Sequence, residues 1–209
     1  MNQNNQTVLY YVHDPMCSWC WAFVPTWTKI KQALAGRLEI RYVLGGLAPD
    51  SSQVMPKDMQ STISGYWENI QARVPGTEFN FDFWTQCEPK RSTYPSCRAV
   101  IAARKQKPET ELPMILAIQK GYYLNAKNPS DADMLIQLSA ELGLDPVQFA
   151  NDLNSEETND VLNQEMQFGA NIGAQGFPSL ILQTPEGYGY IPLDYNDPSV
   201  VLNQLERFI

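Results

Sequence analysis

The residues best suited to chemistry stand close together near the start of the chain. In "YYVHDPMCSWCWAFVPTW", from Tyr10 to Trp27, Cys17 and Cys20 lie two residues apart directly after a short apolar run. Such a pair can bind metal, form a structural bridge or exchange disulfides. A bridge closing so small a loop removes little unfolded-state entropy, and a chain of 209 residues can bury a core without staples. A structural zinc site normally takes four Cys or His ligands. Here Cys87 and Cys97 form no second CxxC and the single histidine, His13, lies on the strand side of the pair, so no metal is assigned. The exchange reading needs only the two sulfurs. If Cys17 stands at a helix start, its thiolate faces unpaired backbone N–H groups and the positive end of the helix dipole, which both favour the nucleophilic anion. Cys20, one turn further on, can then attack a mixed disulfide formed at Cys17.

The neighbours divide between site and scaffold. Helical spacing makes Phe23 and Trp27 core residues, whereas Trp19, inside the CxxC turn, lies beside the reactive sulfur and can contact an apolar substrate segment. Cys87 and Cys97 read as small hydrophobes buried in helical cores. His13 and Asp14 read as a strand-end turn with a hydrogen-bonded side chain, outside the catalytic set.

The elements that must position the pair follow from pattern. Thr7 to Val12 is β-rich and stops at Asp14-Pro15, which predicts a buried strand. Apolar positions at Trp21, Val24, Trp27, Ile30 and Leu34 predict a helix up to Gly36, kinked at Pro25. "LEIRYVLGGLAP" gives a second strand. From about Asp50 to Ala174 helical windows succeed one another without a convincing strand, several with end signals such as Ser130 or Asp131 before a run and Gly143 after it. Strands return at "FPSLILQT" and "GYGYIPL", and "DPSVVLNQLERFI" closes the chain as a helix. The simplest arrangement is an α/β fold: one mixed sheet built from residues 1–49 and 174–209, interrupted by an all-helical insertion over 50–173.

Composition narrows the partners. A formal net charge of −8, with no block of Lys or Arg, argues against nucleic acid or anionic lipid. No stretch approaches the roughly 18 apolar residues of a membrane span. The first residues show no basic leader followed by an apolar run, so the expected location is the cytoplasm, where a CxxC pair is more often catalytic or metal-binding than structural.

Strand, CxxC at a helix start, second strand, long helical insertion and "GFPSLIL" entering a late strand together resemble the thioredoxin superfamily in its DsbA-like branch. "DPMCSWCW" is similar to the cytoplasmic FrnE-like DsbA homologues. The resemblance implies a thioredoxin-like fold and a dithiol–disulfide oxidoreductase or isomerase, with Cys17 as nucleophile and Cys20 as resolving thiol. It also implies a cis bond at Phe177-Pro178 opposite the cysteines, with Phe177, Pro178, Ser18 and Trp19 shaping a groove for protein or small-molecule thiols and disulfides. No cofactor is implied, and glutathione is a candidate co-substrate. DsbA has a histidine between its cysteines where this chain has Ser18 and Trp19, which points to a less oxidising dithiol. Two alternatives stay open on the same scaffold. One is a glutathione-dependent isomerase or transferase of the 2-hydroxychromene-2-carboxylate isomerase or kappa class, whose members typically use a serine near the helix start; the other is a redox-inactive binding module.

Overall fold

A computed structural model describes residues 7–209, so the reading of the first six residues as carrying no leader lies outside the described residues. Its centre is a sheet of four strands in the order β2-β1-β3-β4. β1 (Val8–His13) runs parallel to β2 (Glu39–Leu44) and antiparallel to β3 (Ser179–Thr184), and β3 pairs antiparallel with β4 (Gly187–Ile191). All six residues of β1 are buried, as befits a strand paired on both edges and covered on both faces.

Alternation along the strands sorts side chains between two layers. Leu9 and Tyr11 of β1 join Leu180 and Leu182 of β3 beneath α1 (Ser18–Leu34) and α9 (Ser199–Leu205), against Phe23, Trp27, Ile30, Val201 and Leu205. Val8, Tyr10 and Val12 point the other way, toward Phe168 and Ile172. Those two residues belong to the end of α8 (Glu156–Asn171) and the residue after it. The close approach is possible because residue 169 is glycine: a Cβ there would lie 3.2 Å from Val12 Cγ1. The last helix between β2 and β3 therefore covers the sheet, and Glu165 on it accepts a hydrogen bond from the Leu44 amide at 2.8 Å.

The remaining helices between β2 and β3 are α2 (Lys57–Arg73), α3 (Phe83–Gln86), α4 (Tyr94–Gln106), α5 (Glu111–Tyr123), α6 (Ala132–Glu141) and α7 (Pro146–Leu153). An aliphatic core centred on Val100, Ile118, Leu135 and Leu162 joins α4, α5, α6 and α8. A second, aromatic core gathers Trp67, Phe79, Phe83, Tyr122 and Tyr123 and reaches Met16, beside the cysteine pair. Three local details bear on the sequence expectations. Helix α1 is a single helix that passes through Pro25 and ends at Leu34, with Gly36 at φ +72° turning the chain toward β2. Asp131 precedes α6 but its side chain does not cap it, because the carboxylate pairs with Lys90 at 2.8 Å. Between β2 and β3 the described residues form no strand, as expected, and carry an isolated bridge between Val54 and Lys90.

Candidate active site

The end of β1 delivers the cysteines through a tight turn. The Asp14 carbonyl accepts from the Cys17 amide at 3.0 Å, and Asp14 Oδ1 accepts from the Met16 amide at 2.8 Å. This is the side-chain-mimicked turn that an Asp-Pro pair favours. Cys17 is the N-cap of α1, with extended backbone (φ −78°, ψ 116°), and Cys20 lies within the first helical turn. Both thiols are free. Their environments differ: Cys20 has no exposed surface, whereas Cys17, 6% exposed, lines a cavity of about 580 Å³. Burial pushes the Cys20 thiol well up from its ordinary value, reinforced by its hydrogen bond with Cys17.

Opposite Cys17, the chain entering β3 supplies a backbone acceptor. Cys17 Sγ lies 3.3 Å from the Phe177 carbonyl oxygen, and the Phe177–Pro178 peptide bond is cis. Ser18, Trp19 and Phe177 share the cavity wall with Cys17; Cys20 and Pro178 are buried and form no part of it. Trp19 is half-buried, its ring centroid 4.8 Å from that of Tyr195. Much of the remaining wall comes from α2 and α5, through Ile63, Tyr66, Trp67 and Tyr122, and from the segment 90–93, with Leu47 and Met55 beside them. A cavity of about 700 Å³ beneath β4 and the C-terminal turn has no cysteine on its wall.

The turn reading of Asp14 understates its connections. The side chain is fully buried, and besides the Met16 amide its carboxylate accepts from the Leu47 amide at 2.7 Å and Thr93 Oγ1 at 2.6 Å. It thus joins the cysteine turn to the loop after β2 and to the start of α4. Burial raises its carboxyl, opposed by those hydrogen bonds. Cys97 packs against it, with Sγ 3.5 Å from Asp14 Oδ2, and is wholly buried as expected. Cys87 corrects the same expectation. It is half-buried just after α3 and donates to the Ala126 carbonyl at 3.0 Å. His13 is buried with its ring near Tyr11 and Tyr42; burial, with the Arg104 charge, pushes it down to about 3, and its Nε2 has no hydrogen-bond partner among the described residues. Among the described residues no cluster of three or more His, Cys, Asp or Glu could hold a metal, and no helix is long and apolar enough to cross a membrane.

A mixed sheet with a cysteine-bearing helix N-terminus facing a cis-proline loop, and a helical insertion between its second and third strands, is the DsbA-like form of the thioredoxin fold. Residues 10–190 match the family model described as thioredoxin, and the chain belongs to that family. A crystal structure from Nitrosomonas europaea, described as "a putative protein disulfide isomerase", is 26% identical, covers 98% of each chain and superposes with a TM-score of 0.84. The cytosolic disulfide reductase DsbM from Pseudomonas aeruginosa, 23% identical, shares the fold with a TM-score of 0.76 over 96% of this chain and 98% of its own. Two curated relatives carry the name ClpXP adapter protein SpxH. That of Halalkalibacterium halodurans is 27% identical over 83% of this chain and 57% of its own length, and that of Bacillus subtilis 23% identical over 87% and 63%. The chain therefore spans about three-fifths of the length of those relatives.

Proposed function

We propose that the chain is a cytoplasmic thiol–disulfide oxidoreductase that exchanges disulfides with protein or small-molecule thiols through Cys17 and Cys20. The observation that carries this reading is the asymmetry of the pair. Only Cys17 lies on a cavity wall where a substrate disulfide can reach it, while Cys20 is enclosed behind it with its proton held. In reduction, the Cys17 thiolate attacks one substrate sulfur, an S–S bond forms, and the other substrate sulfur leaves as a thiolate that takes a proton. Cys20 then loses its proton and attacks Cys17 Sγ, releasing the second substrate thiol and leaving a Cys17–Cys20 disulfide. Two electrons pass to the substrate, and a low-molecular-weight thiol such as glutathione restores the dithiol; neither metal nor organic cofactor takes part. The Phe177 backbone beside Cys17 offers an edge to an extended substrate, and Ser18 and Trp19 form its rim.

The test is the reduction potential of the pair, followed by tryptophan fluorescence in glutathione buffers with Cys17→Ser as blank. A reversible two-electron transition is expected. Cys17→Ser should abolish exchange, and Cys20→Ser should accumulate mixed disulfides. Full turnover by either variant would refute the assignment of roles, and a folded protein without a redox transition would promote the glutathione-dependent isomerase.

A second reading, a polypeptide-binding adapter, rests on the names of the two curated relatives and on one surface feature. Leu47 and Tyr66, on the cavity wall, are exposed, as is Met59 one turn before Ile63 on α2. Thiol titration separates the readings: two fast, mutually protecting thiols identify the exchanger, and slow burial-limited reaction the binding module.

A further inference from the structure

The whole chain carries 23 acidic and 15 basic residues, yet no Asp or Glu lines the cavity that holds Cys17, and Lys90 and Arg91 do. The two cations are not equivalent. Lys90 is neutralised by Asp131 at 2.8 Å. Arg91 is exposed and makes no ion pair or hydrogen bond with a described residue. The nearby buried carboxylate, Asp14, is occupied by the Met16 and Leu47 amides and by Thr93.

The backbone under Arg91 is fixed on both sides. Pro89 accepts from the Met55 amide at 2.7 Å, and Lys90 bridges to Val54. The Ser92 hydroxyl accepts from the Ser51 amide at 3.2 Å, and the Thr93 amide donates to the Ala48 carbonyl at 2.9 Å. Such fastening does not serve the Arg91 side chain itself, which is left free to meet a ligand. Its charge acts on the Tyr122 hydroxyl, which lines the same cavity, opposing the rise that burial imposes there. A guanidinium on a rigid mount, with aromatic surface around it and no competing acid, is a carboxylate receptor.

Resting on the oxidoreductase reading, we infer that Arg91 is a specificity-determining residue that selects disulfides bearing a carboxylate near the reacting sulfur over neutral or cationic ones. A small thiol acid and an acidic stretch of polypeptide share that chemistry. In the first exchange step a substrate S–S bond breaks and the Cys17–substrate S–S bond forms, while the carboxylate stays on Arg91 and undergoes no reaction.

The experiment measures the second-order rate of Cys17 oxidation in the reduced full chain by dianionic 5,5′-dithiobis(2-nitrobenzoate), neutral 2,2′-dithiodipyridine and dicationic cystamine. Each rate is divided by that of a free cysteine peptide to remove intrinsic reactivity. A unit charge at a partly exposed site predicts a normalised anion preference of about tenfold at low salt, falling as salt rises. Arg91→Gln should remove both the preference and its salt dependence, Arg91→Glu should invert it, and Arg91→Lys should restore most of it. A pair of disulfide peptides differing by Glu or Gln beside the cysteine separates the sources. If the preference extends to the Glu peptide, polypeptides are accepted, and if it stops at the small disulfides, the ligand is a small thiol acid. An anion preference equal in wild type and Arg91→Gln overturns this inference and leaves the exchange reading standing. Failure of all three disulfides to react overturns both.

Discussion

The single histidine offers a sharp test of how the end of β1 is built. His13 lies inside the sheet layer, its ring centroid 5.3 Å from that of Tyr11 and 5.8 Å from that of Tyr42, and folding pushes it from 6.5 down to about 3. A base whose folded value is depressed adds stability above its unfolded value and loses it as pH falls toward the folded one. Proton linkage puts the loss at about 0.2 kcal/mol at pH 7 and about 2.1 kcal/mol at pH 5. The difference of about 1.9 kcal/mol is roughly a 25-fold drop in the folding constant. Because pH 5 lies about two units above the folded value, this figure is set almost wholly by the unfolded histidine. The measurement is urea unfolding at pH 7, 6 and 5 for wild type and His13→Phe, which keeps an aromatic ring between the tyrosines. Carboxylates contribute equally to both proteins, so the two stability curves should diverge by about 1.9 kcal/mol over that range. Parallel curves would show that His13 protonates in the folded state and that the burial argument is wrong. The same argument removes His13 from the proton path of exchange, so the pH profile of wild-type rates should match that of His13→Phe.

Two further substitutions probe the walls of the site. In Gly45→Ala the new Cβ would meet the Phe177 ring at 1.9 Å, forcing the ring to move and disturbing the residue whose carbonyl faces Cys17 Sγ. Exchange should fall between about 10- and 100-fold while the urea midpoint holds, since a small misplacement at a reacting centre is costly; an unchanged rate would show that the Phe177 ring does not matter. Asp14→Ala leaves the buried Met16 and Leu47 amides and the Thr93 hydroxyl without their shared acceptor, and should cost about 3 kcal/mol in urea unfolding. A loss below about 1 kcal/mol would mean that the turn at the cysteines stands without this carboxylate.

What could be read in advance depended on how local its cause was. The strands were legible because alternation along residues 8–13 and 39–44 is imposed by two covered faces, and the CxxC announced itself by spacing. Helix α3 was not legible. Its four residues lie in "FNFDFWTQ", which has no helical period, and they are ordered by packing around Trp67, whose ring centroid is 4.8 Å from that of Trp84. Asp14 was legible as a turn residue but not as a junction, since its partners Leu47, Thr93 and Cys97 come from distant parts of the chain. The contact of Cys17 with Phe177 spans 160 positions, and only the family resemblance pointed to it. Arg91 had no signal, because its importance lies in which acids are missing from a wall that only the fold assembles.

That wall also bears on how an oxidoreductase fold and an adapter name can meet in related chains. The sheet and α1 place the two sulfurs and the Phe177 backbone, to which the proposed exchange assigns the chemistry. Tyr66, Trp67, Arg91 and Tyr122 come from the segment between β2 and β3, and to these the proposal assigns recognition. On that proposed division, a substitution at Cys17 should stop turnover without emptying the cavity, and one at Arg91 should change the ligand without changing the reaction. Binding of the preferred disulfide peptide to a Cys17→Ser protein, measured as its reduced dithiol form to exclude covalent capture, is therefore expected to persist and to weaken with Arg91→Gln. Loss of binding in Cys17→Ser itself would place recognition in the sulfur, and the separation of the two roles would fail.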